Sequence, residues 1–319
     1  MPRNVIIDCD TGTDDALALL LALRSPELKV LGITCVSGNV GLKNVVNNTQ
    51  RIIEQSGKIV PVYAGAALSM VVQPEEDGSK IHGGDGLGGA ALPQPKLVVE
   101  KEHAVDYIIR VLMGSSQPMD WITLGPLTNA ALALRKEPRI ADKVRLLTMM
   151  AGGVDAGNTR VMAEFNIFID PEAARVVFDS GMPMMMVPLD PLFHGGYLKR
   201  TDQQKIETAS DKPWCRAAGL IFEVTLDLVH RATQKQIIEP GAISPPDLLA
   251  VAAAIDPSIM SIENYHVMIE TRGEYTRGMT VVDRRKYHRG RYPDRKEVAV
   301  VMDADQRKYA QLVINTMLA

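Results

Sequence analysis

With 319 residues, 46% of them hydrophobic, the chain has enough apolar content for a sizeable α/β core, and 35 Lys and Arg against 38 Asp and Glu leave it close to neutral. That balance gives no electrostatic basis for nucleic acid or an anionic membrane surface as the main partner. Three cysteines, Cys9, Cys35 and Cys215, are odd in number and set in apolar surroundings, which predicts buried free thiols in a reducing, cytoplasmic compartment. The first strand begins within the first few residues, leaving no room for a signal peptide, and no apolar run reaches the roughly 18 residues that a membrane span requires.

Val5, Ile6 and Ile7 read as a buried strand, Thr11-Gly12-Thr13 as a turn, and Asp14 to Arg24 as a helix with an acidic first turn. Lys29 to Val36 predicts a second strand ending in Ser37-Gly38-Asn39, then a helix from Leu42 to Gln55, then a short strand from Ile59 to Tyr63. Gln73 to Leu92 contains a glycine-rich run from His82 to Gly89 and reads as a long mobile loop, of the kind that usually carries function. Trp121 to Leu124 leads through Gly125-Pro126 into a helix from Thr128 to Leu134, and Val144 to Met150 runs into Gly152-Gly153. Met184 to Val187 ends at Pro188-Leu189-Asp190. Three helices follow, at Asp202 to Ala209, Trp214 to Arg231 and Pro246 to Ala254. Strand patterns return at His266 to Thr271, Met279 to Val282 and Val298 to Met302, before a closing helix from Asp305 to Leu318. The alternation predicts an α/β fold with a mostly parallel, open twisted sheet flanked by helices, and the lack of a linker or repeat predicts one domain over residues 1–319. Arg284, Arg285, Lys286 and Arg295 read as a solvated hairpin or loop.

Asp8, Asp10, Asp14 and Asp15 gather where the first strand ends and the first helix begins. Ligands of open α/β sheets bind beyond the carboxyl ends of the strands, so this is the expected site. Close carboxylates repel one another, and a hard divalent cation relieves that repulsion. An acidic first turn also complements a helix dipole, which accounts for Asp14 and Asp15 but not for Asp8 and Asp10. Asn39, the backbone of Leu124, Asn158, Glu164, Asn166 and Asp247 add polar groups at later strand ends or helix starts. This oxygen-rich inventory suits calcium, and no His or Cys cluster suits zinc. Asn39 and Asn158, each after a glycine, read equally as turn residues, and Asp247, after Pro245-Pro246, as a first-turn acid. Glu164 and Asn166 flank Phe165 as two polar groups on one face of an extended segment would.

Four motifs stand in order along nearly the whole chain: DCDTGTDDA at Asp8 to Ala16, LGPLTN at Leu124 to Asn129, AEFNIFIDPEAA at Ala163 to Ala174 and RGMTVVD at Arg277 to Asp283. In these the chain resembles the inosine-uridine-preferring nucleoside hydrolase family. The resemblance implies a Rossmann-like nucleoside hydrolase fold and calcium-dependent cleavage of ribonucleosides to ribose and free base by a homodimer or homotetramer. It implies Asp10, Asp15 and Asp247 as carboxylate ligands of calcium, with the Leu124 carbonyl as another, and a water and the ribose 2′ and 3′ hydroxyls completing the shell. Asp14, Asn39, Asn158, Glu164 and Asn166 match positions that hold ribose hydroxyls, Met150 matches one near the sugar, and Asp8 has a supporting place. The implied chemistry is attack by a metal-bound water with Asp10 as general base, while carboxylates stabilise an oxocarbenium-like transition state.

The chain departs from the family at Pro246, where purine-active members commonly carry a His that protonates the departing base. His82 in the glycine-rich loop matches a loop His of the family and is the candidate to approach the base on closure; His230 is a second candidate. His103, His194, His266 and His288 read as structural or surface residues. The competing reading is a ribonucleoside-binding or weakly active member with lost or altered turnover. A phosphatase of the haloacid dehalogenase type is disfavoured because Gly12 stands where its Asp8-Cys9-Asp10-like motif carries Thr or Val. An EF-hand fails because the twelfth position from Asp8 is Leu19 rather than Glu.

Overall fold

The computed structural model describes residues 1–319 except 75–76, 210, 233–239 and 286–294, and of 229–232 it describes the backbone alone. Alternation along the first strand, β1 (Arg3–Cys9), sets the architecture: Ile6 points into one apolar layer and Val5, Ile7 and Cys9 into the other. A strand apolar on both faces has to be covered on both, which is the condition for a parallel sheet between helical layers.

Among the described residues the sheet has nine strands. β1 pairs in parallel with β2 (Leu28–Cys35) and β2 with β3 (Val62–Ala64) on one side. On the other side β1 pairs with β4 (Met119–Thr123), then come β5 (Val144–Met150) and β6 (Met184–Val187), all parallel. A separate two-stranded ribbon pairs β7 (Leu198–Lys199) with β8 (Ala242–Ile243). Beyond β6 the order is β11 (Val298–Ala304), β9 (Met260–Ile269) and β10 (Thr280–Asp283), where β11 continues the parallel run and β9 is antiparallel to both neighbours. The sheet is therefore mostly parallel with a mixed edge, and the chain reverses its direction of growth between β1 and β4.

One layer is built on α1 (Thr13–Arg24), buried along nearly its whole length, with α2 (Leu42–Ser56), α9 (Pro213–Ala232), α10 (Pro246–Ile255) and α11 (Gln306–Leu318) around it. The opposite layer holds α4 (Ala104–Gly114), α5 (Thr128–Lys136) and α7 (Pro171–Phe178). Two shorter helices, α3 (Ser79–His82) and α6 (Phe165–Ile169), stand at the carboxyl ends of the strands, and α8 (Arg200–Ala209) precedes α9. Among the described residues no helix is long and apolar enough to cross a membrane.

Most elements lie within a few residues of their expected bounds, and β5 and β6 match them. Three differences matter. Phe165–Ile169 is helical rather than extended, because Glu164 caps it by accepting from the N–H groups of Asn166 and Ile167. The long loop carries the turn α3 and tight backbone bonds, such as Gly88 N–H to the His82 carbonyl at 2.7 Å, so it is packed down instead of free. Finally, α4 is a helix absent from the expected set. Cys9, Cys35 and Cys215 are buried and form no disulfide, as expected. Of the basic cluster, Arg284 pairs with Asp155 and Arg285 with Asp283, while 286–294, with His288, lie outside the described residues. His103 has a structural place, its Nδ1 accepting from Val105 N–H at the start of α4.

Candidate active site

Strand β1 delivers Asp8 and Asp10 to the switch between β1 and β4, and α1 begins there with Asp14 and Asp15 in its first turn. Asp15 does what a first-turn acid is expected to do. Its Oδ2 accepts from Gly12 N–H at 2.9 Å and its Oδ1 from Asp10 N–H at 3.3 Å. Asn39, after β2, reaches over the same turn, its backbone N–H bonding Asp10 Oδ2 at 2.7 Å and its side-chain Nδ2 bonding Asp15 Oδ2 at 3.1 Å.

Asp10 sits in a notch between two glycines. A Cβ on Gly125 would lie 2.6 Å from its Oδ1, and one on Gly38 would collide with its Oδ2. Its Oδ1 has no hydrogen-bond partner among the described residues. Asp247, at the start of α10, comes in from the neighbouring helix, and oxygens of Asp14, Asp15 and Asp247 lie within 4.8 Å of one another, all buried. The expected metal-ligand trio was Asp10, Asp15 and Asp247. Asp15 and Asp247 lie in this group together with Asp14, and Asp10, bonded through Oδ2 to the Asn39 N–H, stands beside it.

Burial raises the proton affinity of every carboxyl here. Asp14 and Asp15 rise to about 6; burial lifts Asp10 and Asp247 well above the usual range, reinforced for each by the charges of neighbouring aspartates. Such a set is costly to ionise alone and is stabilised by a hard cation. Clustered buried oxygens, with Asp10 Oδ1 and Asp14 Oδ1 lacking a hydrogen-bond partner among the described residues, fit a hard divalent ion of the calcium type.

Leu124, after β4, and Met150, at the end of β5, meet at Asn166. The Asn166 Nδ2 donates to the Leu124 carbonyl at 2.7 Å and to the Met150 carbonyl at 3.1 Å, and lies 3.2 Å from Met150 Sδ. Glu164 is buried and accepts three backbone N–H groups, from Gly152, Asn166 and Ile167, and burial holds its carboxyl at about 7. Asn158 is exposed, and its Oδ1 accepts from Phe165 N–H and Thr159 Oγ1, so the structure keeps it outside this buried group.

His82 is buried against α1, its Nδ1 3.3 Å from Thr13 N–H and 3.1 Å from Thr13 Oγ1. Burial lowers its pKa to about 4, and a ring nitrogen that accepts from Thr13 N–H carries no proton. The imidazole is therefore neutral, with its hydrogen on Nε2. Pro246 occupies the first position of α10 and brings no ionisable group. The side chain of His230 lies outside the described residues.

Asp8 stands beneath these groups, its Oδ1 accepting from Thr34 Oγ1 and from Asn129 Nδ2, and burial lifts it to about 7. Asn129 was not among the expected site residues, although it closes the LGPLTN motif. Its amide also bonds the Cys35 carbonyl and Ala66 N–H, tying the ends of β1 and β2 to the loop after β3. Asn129→Ala is expected to lower stability by about 3 kcal/mol by leaving these buried groups unpaired, as read by urea unfolding. An unchanged midpoint would refute that role.

A model of the inosine-uridine preferring nucleoside hydrolase family matches residues 5–311. The chain is 39% identical over 325 residues to the inosine-uridine preferring nucleoside hydrolase of Leishmania major, covering 99% of this chain and 98% of that one. It is 35% identical over 284 residues to the pyrimidine-specific ribonucleoside hydrolase RihA of Photobacterium profundum, covering 89% and 90%. Among solved structures, a purine-preferring ribonucleoside hydrolase from Gardnerella vaginalis superposes with a TM-score of 0.89 at 28% identity, over 99% of this chain and 98% of that one. Full-length matches of sequence and fold coincide with an acidic cluster at the switch point of the sheet: the chain belongs to the inosine-uridine preferring nucleoside hydrolase family, and is an enzyme of the N-glycosyl hydrolase class.

Proposed function

We propose that the protein hydrolyses the N-glycosidic bond of ribonucleosides, giving ribose and the free base, with calcium as its ion. The observation that carries this is the buried group of Asp14, Asp15 and Asp247 beside the unpartnered Asp10 Oδ1. Asp10, Asp15, Asp247 and the Leu124 carbonyl would hold the ion, with Asp14 beside it. Bound there, calcium supplies a fixed positive charge that attracts ribose hydroxyls and acidifies water.

The chain's own residues do the rest. Asp10 is anchored through Oδ2 by Asn39 N–H, which leaves Oδ1 to take the proton of the water that attacks the anomeric carbon. Asn39, Asn166, Asp14 and Glu164 hold ribose hydroxyls, and the carboxylates among them stabilise the positive charge that develops on the sugar. Asn158 reaches the ribose only if its loop moves inward. His82, as a neutral Nε2–H imidazole, offers the departing base a hydrogen bond rather than a full proton. By the same family reading the enzyme is a cytoplasmic homo-oligomer.

Pro246 favours one second reading, a ribonucleoside binder with weak turnover. A ribose-release assay over purine and pyrimidine ribonucleosides separates the two. Activity is expected to disappear on chelation and to return with added calcium. Full activity in the metal-free enzyme would overturn the calcium assignment, and nucleoside binding without release of ribose would favour the binder.

A further inference from the structure

The RGMTVVD motif of β10 lies at the far edge of the sheet and supplies none of the groups placed in the site above. Its contacts nevertheless converge on the segment that carries Glu164. Arg277 makes a forked pair with Glu172 at 2.6 and 2.8 Å and donates to the Thr271 carbonyl. Met279 bridges to Ala163, the residue before Glu164. Thr280, 1% exposed, is the point of the motif that faces the Gly152-Gly153 turn.

The Thr280 hydroxyl is used twice. It accepts from Gly153 N–H at 3.0 Å and donates to the Gly153 carbonyl at 2.5 Å. Its side chain also packs on Gly152, where an added Cβ would come within 2.6 Å of Thr280 Cγ2 and where φ is 76°. Glycines in such a turn have little of their own to fix the peptide between them. The Thr280 hydroxyl holds this peptide at the Gly153 N–H and the next one at the Gly153 carbonyl, while Leu189 N–H holds the Gly152 carbonyl at 3.0 Å, and the neighbouring Gly152 N–H points at Glu164 Oε2 at 2.8 Å. That N–H is one of the three donors that orient the Glu164 carboxylate among the described residues.

We propose that Thr280 is a positioning residue for ribose recognition, its hydroxyl locking the Gly152-Gly153 turn that aims Glu164 at the sugar. The inference rests on the reading of Glu164 as a ribose-binding carboxylate. Thr280→Val keeps the shape of the side chain and removes both bonds. It is expected to raise KM for ribonucleosides about tenfold, the factor that one or two buried hydrogen bonds are worth, with a smaller fall in kcat. The shift of Tm on adding calcium should stay as in the parent, since the acidic cluster lies on β1, α1 and α10. Thr280→Ser should restore KM to within about twofold, because the hydroxyl rather than the methyl group carries the effect. Glu164→Gln should raise KM on its own, and combining it with Thr280→Val should add little further loss.

A Thr280→Val enzyme with parental KM, or a Thr280→Ser enzyme as impaired as the valine variant, would overturn the proposal. If Thr280→Val does not fold, Thr280→Ala is judged by the same criteria. Should Glu164→Gln itself keep the parental KM, the ribose role of Glu164 fails and the proposal with it. Should Glu164→Gln be impaired while Thr280→Val is not, only the role of Thr280 fails.

Discussion

Asp10→Asn is expected to lower kcat for ribose release by about a thousandfold, in the middle of the range that general-base catalysis contributes, and Asp10→Ala to abolish it. The aspartate is held by geometry that leaves one of its oxygens for the reaction. Its Oδ2 is committed to Asn39 N–H at 2.7 Å, its Oδ1 is buried without a partner, and Gly38 and Gly125 wall it in. Asparagine fills the same notch and cannot take up a proton. Because the notch exists only where both walls lack a Cβ, Gly125→Ala should also impair turnover by forcing the carboxylate aside. Single-turnover ribose release measures the chemical step, and a parental thermal unfolding curve shows that the variant is folded. Asp10→Asn retaining a tenth or more of the parental rate would remove Asp10 from the role of base.

The second large effect concerns pH. Protein stripped of divalent ions with a chelator is expected to be more stable at pH 5 than at pH 7.5. Asp8 and Glu164 have folded pKa values of about 7, and Asp14 and Asp15 of about 6, each above its ordinary value because burial disfavours the charge. Between about pH 4 and pH 7 the native state therefore holds more protons than the unfolded chain. The stability that these groups contribute is complete below their ordinary pKa values and is lost as pH rises through the folded ones. Asp8 alone, moved from 3.8 to about 7, accounts for about 2–3 kcal/mol of the fall between pH 5 and pH 7.5. Calcium should act in the opposite sense, stabilising more at pH 7.5 than at pH 5, because it takes the carboxylates in their charged form. Urea midpoints at several pH values, with and without calcium, give both slopes. A metal-free midpoint that rises from pH 5 to pH 7.5 would refute the assignment.

Much of this was legible where the signal is local. The apolar run ending in Asp8, followed by Thr11-Gly12-Thr13 and an acidic helix start, translates directly into β1, its turn and α1. The same locality misled at Glu164-Phe165-Asn166, where polar–apolar–polar alternation resembles a strand. Helix capping by the Glu164 side chain overrides it, and a capping contact is not visible as a period. That Asn39, at a sequence separation of 29, fixes Asp10 from its backbone N–H was likewise not visible in the local pattern. The parts carried by Asn129 and Thr280 depend on residues more than a hundred positions away in sequence, so the motifs that contain them could be seen but not what they touch.

The strand order bears on how the polypeptide reaches this state as it is made. β11 lies between β6 and β9, so this half of the sheet has a gap until residues 298–304 arrive, long after β6 at Met184–Val187 has formed. Until then β6 and β9 each present a row of unpaired backbone groups, the kind of open edge on which nascent chains associate with one another. The last strand to emerge is thus also the one that closes the sheet, and a chain stopped short of Val298 is left with two adhesive edges in place of one continuous surface.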